Sequence, residues 1–358
     1  MSPRRRTRPA TPQQAPSDSP LTTREGWRRF IEHAPAPPVL KTAAERAALT
    51  PHEQLLEDEL RREYHADLPL VNTPTIRKAI ATSRLLVQLN RRQVSARRGV
   101  IISGASGTGK TTALSQLGRT HELAVRKRFP NDRGRLPVLY ATVPPAATPK
   151  MLAMEFARFY GLDFPSRANI TDVVNSVCTT AAHTHVDLVL IDEIHNLSLA
   201  TRTGAEASDQ LKYFAERLPA TFIYAGIDVE DRGLFAGTRG RQIAGRFTVI
   251  SATPFSYAPG ADRDDWQALV ETLESTLRLH HHRSGTLAGL SAYLYHRTGG
   301  TIGTLSQLIR GAAVLAMEDG SECITQDLLE TVPIDHAAEL SEKLTAPAQP
   351  GKRKRQAA

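Results

Sequence analysis

Residues 99–112 read GVIISGASGTGKTT, and this stretch decides the fold class. Val100, Ile101 and Ile102 form a short apolar run of the kind a buried strand needs. Glycines follow at once, and from Lys110 to about Leu123 the apolar spacing turns helical. Segment 104–111 fits G-x-x-x-x-G-K-[ST] in that strand–loop–helix setting, which is the arrangement that cradles phosphates. Gly104, Gly107 and Gly109 let the backbone turn tightly, so that the amides of Gly104, Ala105, Ser106, Gly107, Thr108, Gly109 and Lys110 can point at phosphate oxygens. The helix beginning there adds the positive end of its dipole. Lys110 is expected to reach the β- and γ-phosphates, Thr111 to place its hydroxyl on Mg²⁺, and Thr112 to bond the α-phosphate.

A second segment belongs with the first. Leu188–Ile191 is a continuous apolar run that ends in Asp192 and Glu193. A strand buried on both faces reads this way, and its carboxyl edge lies beside the phosphate loop in a parallel sheet. Asp192 is then the Mg²⁺ residue and Glu193 the general base that polarises the attacking water. No N-K-x-D guanine-reading segment is present, so ATP is the expected nucleotide.

Further strands are expected at Leu136–Val143, Thr221–Ala225 and Phe247–Ile250. Helical spacing fills 149–160, 170–183 and 205–218 between them, and 43–64 and the stretch from Pro74 before them. Beyond about residue 262 only helical patterns remain, at 263–280, 286–297 and 302–317. The expected fold is α/β: a three-layer sandwich around a mostly parallel five-stranded sheet, with a small C-terminal helical lid. The expected divisions are a disordered basic tail (1–20), an N-terminal helical or adaptor segment (21–73), an ATPase core (74–258), a helical lid (259–337) and a second basic tail (338–358).

Charge supports this division. The net charge is +8, but residues 1–20 hold +3 and residues 346–358 hold +4, leaving a nearly balanced core. A polyanion would meet the tails or local patches. One such patch is RKRFPNDRGR, with Arg126, Lys127, Arg128, Arg133 and Arg135, read as a loop between the first helix and second strand. It is either a solvated surface or a sequence-independent contact to the phosphates of double-stranded DNA. Arg91, Arg92, Arg97 and Arg98 form another cluster with the same two readings. His280–His282 lack partner ligands at metal spacing. Two cysteines far apart suggest a reducing, cytoplasmic setting, and no apolar run is long enough for a membrane span.

Phosphoryl transfer gains from a cation delivered to the γ-phosphate. GTRGRQIAGRF offers Arg239, Arg241 and Arg246. Arg246, directly before the fifth strand, is the first candidate for an arginine finger acting on a neighbouring subunit, and Arg241 is the second.

Together the two motifs, the five-strand pattern and the helical C-terminal region resemble the AAA+ ATPases over about residues 70–335. IDEIHNLS and LFAGTRGRQIAGRF further resemble the TniB/TnsC group of transposition ATPases, whose motif commonly reads D-E-x-H-N. The resemblance implies an ATP-bound homo-oligomer, ring or helical filament, on target DNA. It would couple a target-selector protein to a transposase and come apart on hydrolysis. His195 then either relays γ-phosphate state to a subunit contact or is a satisfied loop histidine. Two positions depart from the AAA+ pattern: after the fourth strand the nearest polar side chain is Asp228 rather than Asn or Thr, and the lid offers Gly303 and Thr304 where an arginine is common. Slow hydrolysis is the corresponding expectation. A nucleotide-gated signalling or scaffold protein, and a clamp-loader or initiator relative, stay open as alternatives.

Overall fold

The computed structural model describes residues 19–33, 36–197, 201–231, 240–241, 244–335 and 339. At its centre lies β1 (Gly99–Ser103), every residue of it buried. β4 (Thr221–Gly226) and β5 (Phe247–Ser251) flank it, and β3 (Leu188–Asp192) and β2 (Val138–Thr142) extend the sheet beyond β4, giving the order β2-β3-β4-β1-β5. Every pairing is parallel. The apolar runs that build β1 and β3 are continuous because both faces of these strands are covered. α4 (Pro74–Asn90) and α5 (Lys110–Arg128) pack on one face. On the other lie α6 (Pro149–Tyr160), α7 (Ile170–His183) and α8 (Arg202–Arg217), as right-handed crossovers require.

Sequence spacing needs two corrections here. The pattern at 43–64 is two helices, α2 (Ala43–Ala47) and α3 (Pro51–Ala66), each opened by a capping box: Thr42 with Glu45, and Thr50 with Glu53. The expected end of α5 near Leu123 falls short, because the helix runs to Arg128. Arg126, Lys127 and Arg128 therefore stand on its last turn, where the dipole favours cations, rather than in a loop.

The N-terminal helices are divided between two hydrophobic cores. α1 (Arg24–Glu32) sits on the core around the sheet. Its Trp27 is 1% exposed, donates its indole N–H to Glu122 Oε2 at 2.6 Å, and stacks on Tyr140 with 5.7 Å between ring centres. Gly118 makes room for this ring, since a Cβ there would lie 2.7 Å from the indole. By contrast, Tyr64 of α3 and Leu68 join the second core. That core is built from α9 (Ala261–Thr276), α10 (Thr286–Gly289), α11 (Ser291–Thr298), α12 (Ile302–Glu318) and α13 (Gln326–Thr331). The stripe Leu305, Leu308, Ile309, Ala312 and Ala316 of α12 is fully buried there.

A buried ionic cluster ties α3 to this helical unit. The Arg61 side chain is fully buried and donates to both Glu322 oxygens at 2.7 Å. His65 is held by the Arg61 carbonyl at Nδ1 (2.7 Å) and the Arg278 amide at Nε2 (3.0 Å). An amide can only donate, so Nδ1 carries the proton. Burial pushes the His65 pKa down to about 4, which keeps the ring neutral near neutral pH. His280 lies 3.8 Å from Glu57 and His282 3.0 Å from Glu274. Among the described residues no cluster of His, Cys, Asp and Glu is arranged to hold a metal, and no helix is long and apolar enough to cross a membrane.

Removing the Trp27 ring leaves a large hole between α1, Gly118 and Tyr140. Trp27→Ala is expected to cost about 3 kcal/mol in urea unfolding. A loss below about 1 kcal/mol would mean that α1 is only loosely attached.

Candidate nucleotide site

The loop after β1 has the backbone its glycines require. Gly107 and Gly109 have φ of 75° and 84°, a region that penalises any Cβ. Gly104 is needed for space, because a Cβ there would lie 1.9 Å from the Ala252 carbonyl oxygen. Gly109 is the N-cap of α5 and has no side-chain cap, so the first amides of that helix open toward the loop. Lys110 is 9% exposed and its Nζ donates to the Ala105 carbonyl at 2.6 Å. Burial lowers its pKa, opposed by the nearby charges of Asp192, Asp228 and Glu193. The glycine cradle, the capless helix start and the buried lysine fit a polyphosphate carried with a divalent cation.

Register brings the acids to this loop. Thr142 pairs with Asp192 at the carboxyl ends of β2 and β3. Asp192 is 5% exposed; its Oδ2 accepts from Tyr140 Oη at 2.9 Å and its Oδ1 from the Glu193 amide at 2.8 Å. Both oxygens are thus oriented before any cation arrives. Glu193 sits at φ 57°, unfavourable for a non-glycine residue, with a side chain 41% exposed. His195 links it to the next strand: Nδ1 accepts from the Ile227 amide at 3.3 Å, which puts the ring proton on Nε2, 3.2 Å from Glu193 Oε2. Asn196 donates to the Val143 carbonyl at 2.8 Å and pins the same turn.

Asp228 follows β4 with φ 44°, and its amide points at the Gly104 carbonyl, 3.4 Å away. Ser103, the last residue of β1, donates to Glu230 and accepts from the Val229 amide at 2.9 Å. The turn after β4 is therefore fastened to the root of the phosphate loop. The C-terminal helical unit meets the loop by main chain, with the Gly303 amide donating to the Gly107 carbonyl at 2.9 Å. A Cβ on Gly303 would lie 2.8 Å from that oxygen, so a side chain does not fit this position. Arg310 points elsewhere and bonds the Ala66 carbonyl.

The arginines are spread more widely. The Arg246 carbonyl accepts from the Gly99 amide at 3.0 Å, which places Arg246 at the amino end of β1 and β5. The phosphate loop leaves the opposite end, roughly 13 Å away at about 3.3 Å per residue. The Arg246 side chain is 38% exposed and lies 4.0 Å from Glu216. Arg241 is exposed, whereas Arg239 lies outside the described residues. In the basic tract, Arg126 is engaged by Glu122 at 2.7 Å and Glu32 at 3.3 Å, and Arg135 by Asp132 at 3.1 Å. Lys127, Arg128 and Arg133 are exposed. Sequence reasoning missed Tyr140, Glu230 and the Trp27 support. None has a local signal, since each partner lies 52 or more residues away.

A family model described as "Bacterial TniB protein" matches residues 64–257. Among solved structures, the Aeropyrum pernix ORC2 protein in ADPNP–ADP complexes is similar at TM-score 0.59 and 17% identity, over 78% of this chain and 74% of that one. The Aeropyrum pernix ORC1 protein in complex with DNA is similar at TM-score 0.58 and 15% identity, over 78% and 69%. At these identities the likeness is one of fold. No curated protein matches the sequence.

Tyr140→Phe removes one of the two donors that orient Asp192 without opening the core. Turnover of ATP is expected to fall about threefold to tenfold, with more magnesium needed for half-saturation, since one hydrogen bond to a charged group is worth about 1.5 kcal/mol. Unchanged turnover and magnesium dependence would show that the tyrosine serves packing alone.

Proposed function

The chain belongs to the TniB family, and on that premise we propose that it is an ATPase regulating DNA transposition, active as an assembly on double-stranded DNA. The observation that carries the ATPase reading is the convergence of the Gly104–Thr112 loop with Asp192 and Glu193 at one edge of the sheet. The loop amides and Lys110 bind and orient the triphosphate, and Thr112 meets the α-phosphate. Thr111 and Asp192 would hold Mg²⁺, which would offset the charge of the phosphates. Glu193 takes the proton of the attacking water, and His195 Nε2–H holds that carboxylate in place.

Arg246 supports the assembly. Its end of the sheet is remote from its own phosphate loop, so a role on the γ-phosphate requires a second copy. Arg241 is the alternative in the same segment. Lys127, Arg128 and Arg133 are the residues of the basic tract best placed to contact phosphates, Arg126 and Arg135 being already paired. The transposition role, with a transposase and a target-selector protein as partners, rests on the D-E-x-H-N signature at Asp192–Asn196 and on family membership. Lid contact through Gly303 in place of an arginine favours slow turnover suited to a switch.

Three measurements test this reading together. Glu193→Gln is expected to bind ATP normally and to stay assembled on duplex DNA in negative-stain images; turnover equal to wild type would refute the base assignment. Arg246→Ala is expected to lower turnover of the assembled form by about a thousandfold and to leave monomer turnover unchanged. DNA affinity is expected to fall steeply with salt, whereas no binding even at low salt would remove DNA from the account.

A further inference from the structure

A sizeable cavity lies away from the nucleotide site. It is a groove of about 690 Å³ between α4, α5 and the amino end of β3, at the sheet edge opposite the phosphate loop. Val87, Leu117 and Phe129 contribute to its apolar floor. Arg84 of α4 and Arg91 just beyond its end stand on one side, and Arg128 and Arg135 on the other. Two basic stretches that are distant in sequence thus meet across one concavity.

The charge around it is unbalanced. Arg84, Arg91 and Arg128 are exposed, and none of them has an ion pair among the described residues. The carboxylates nearby are already held: Asp187 by His121 at 2.5 Å and Asp132 by Arg135 at 3.1 Å. Phe129 is 38% exposed, with the Arg135 guanidinium 4.2 Å and the Arg128 guanidinium 5.3 Å from its ring centre. This ring and its flanking cations offer a surface for a flat or branched apolar group bordered by anions.

We infer that this groove docks an acidic segment of a partner protein, with a bulky apolar side chain seated on Phe129, Val87 and Leu117 and flanking carboxylates paired to Arg84 and Arg91. A volume of this size matches pockets that enclose compact ligands or side chains. A nucleic-acid backbone would use the arginines but gain nothing from the apolar floor. The chain's own tails are excluded by charge, because 1–20 and 346–358 are both net basic. The groove opens at the edge opposite the phosphate loop, so docking there leaves the nucleotide site accessible.

The test uses the full-length protein and its Arg84→Glu/Arg91→Glu double variant, both substitutions being on exposed positions. A random peptide display library is panned against wild type, and enriched peptides are synthesised with a fluorescent label for anisotropy. The expected winners carry two or more carboxylates around Leu, Phe or Trp. Their Kd should rise at least tenfold in the double variant, while its melting temperature and ATP turnover match wild type. A second variant, Arg84→Glu alone, should give a loss in the same direction if the double variant proves unstable. Library winners that are basic or neutral, or acidic winners that bind wild type and variants equally, would overturn the inference. So would loss of duplex DNA binding with no loss of peptide binding, or wild-type self-association abolished by the double variant without peptide present.

Discussion

The account depends on strand register. β1, β3 and β4 run parallel and in step, so the Gly104 loop, the Asp192–Glu193 pair and the Asp228 turn leave the sheet side by side at one edge. Residues separated by more than eighty positions in sequence meet there without any loop having to search for them. The neighbouring carboxylates there oppose the burial that lowers the Lys110 pKa. Shifting any of these strands by one residue would exchange its two faces and dissolve the site.

Support for the site comes from outside the sheet. Trp27 presses on Tyr140, and Tyr140 orients Asp192, so the N-terminal helix is physically connected to the carboxylate at the end of β3. α3 instead joins the lid through Arg61 and Glu322. The stretch between the two therefore bridges two cores that also meet at the phosphate loop, through the Gly303–Gly107 hydrogen bond.

Much of this was legible before any coordinates. Continuous apolar runs predicted β1 and β3 because both are buried on both faces, and glycine spacing predicted the loop because only glycine accepts its backbone angles. Helix ends were harder. α5 outruns its apolar pattern because the Glu122–Arg126 pair and terminal cations stabilise its last turns, and neither depends on hydrophobic spacing. The break at Thr50–Pro51 was written in the two T-x-x-E capping boxes but masked by leucines that run through the region. Tyr140, Glu230 and the arginine groove were beyond reach, since each exists only through tertiary neighbours. Asp228 and Gly303, noted in sequence as departures from a pattern, gain a physical meaning: one is a strained turn beside the loop, the other a contact where a side chain does not fit.

The central claim is that these residues bind a nucleoside triphosphate with magnesium. Calorimetric titration of the purified wild-type chain with magnesium–ATP tests it most directly. The account predicts one saturable site per chain, lost in Lys110→Ala with the melting temperature of the free protein unchanged. Absence of any binding heat in a folded wild-type sample, confirmed by a null result with a fluorescent ATP analogue, would contradict it.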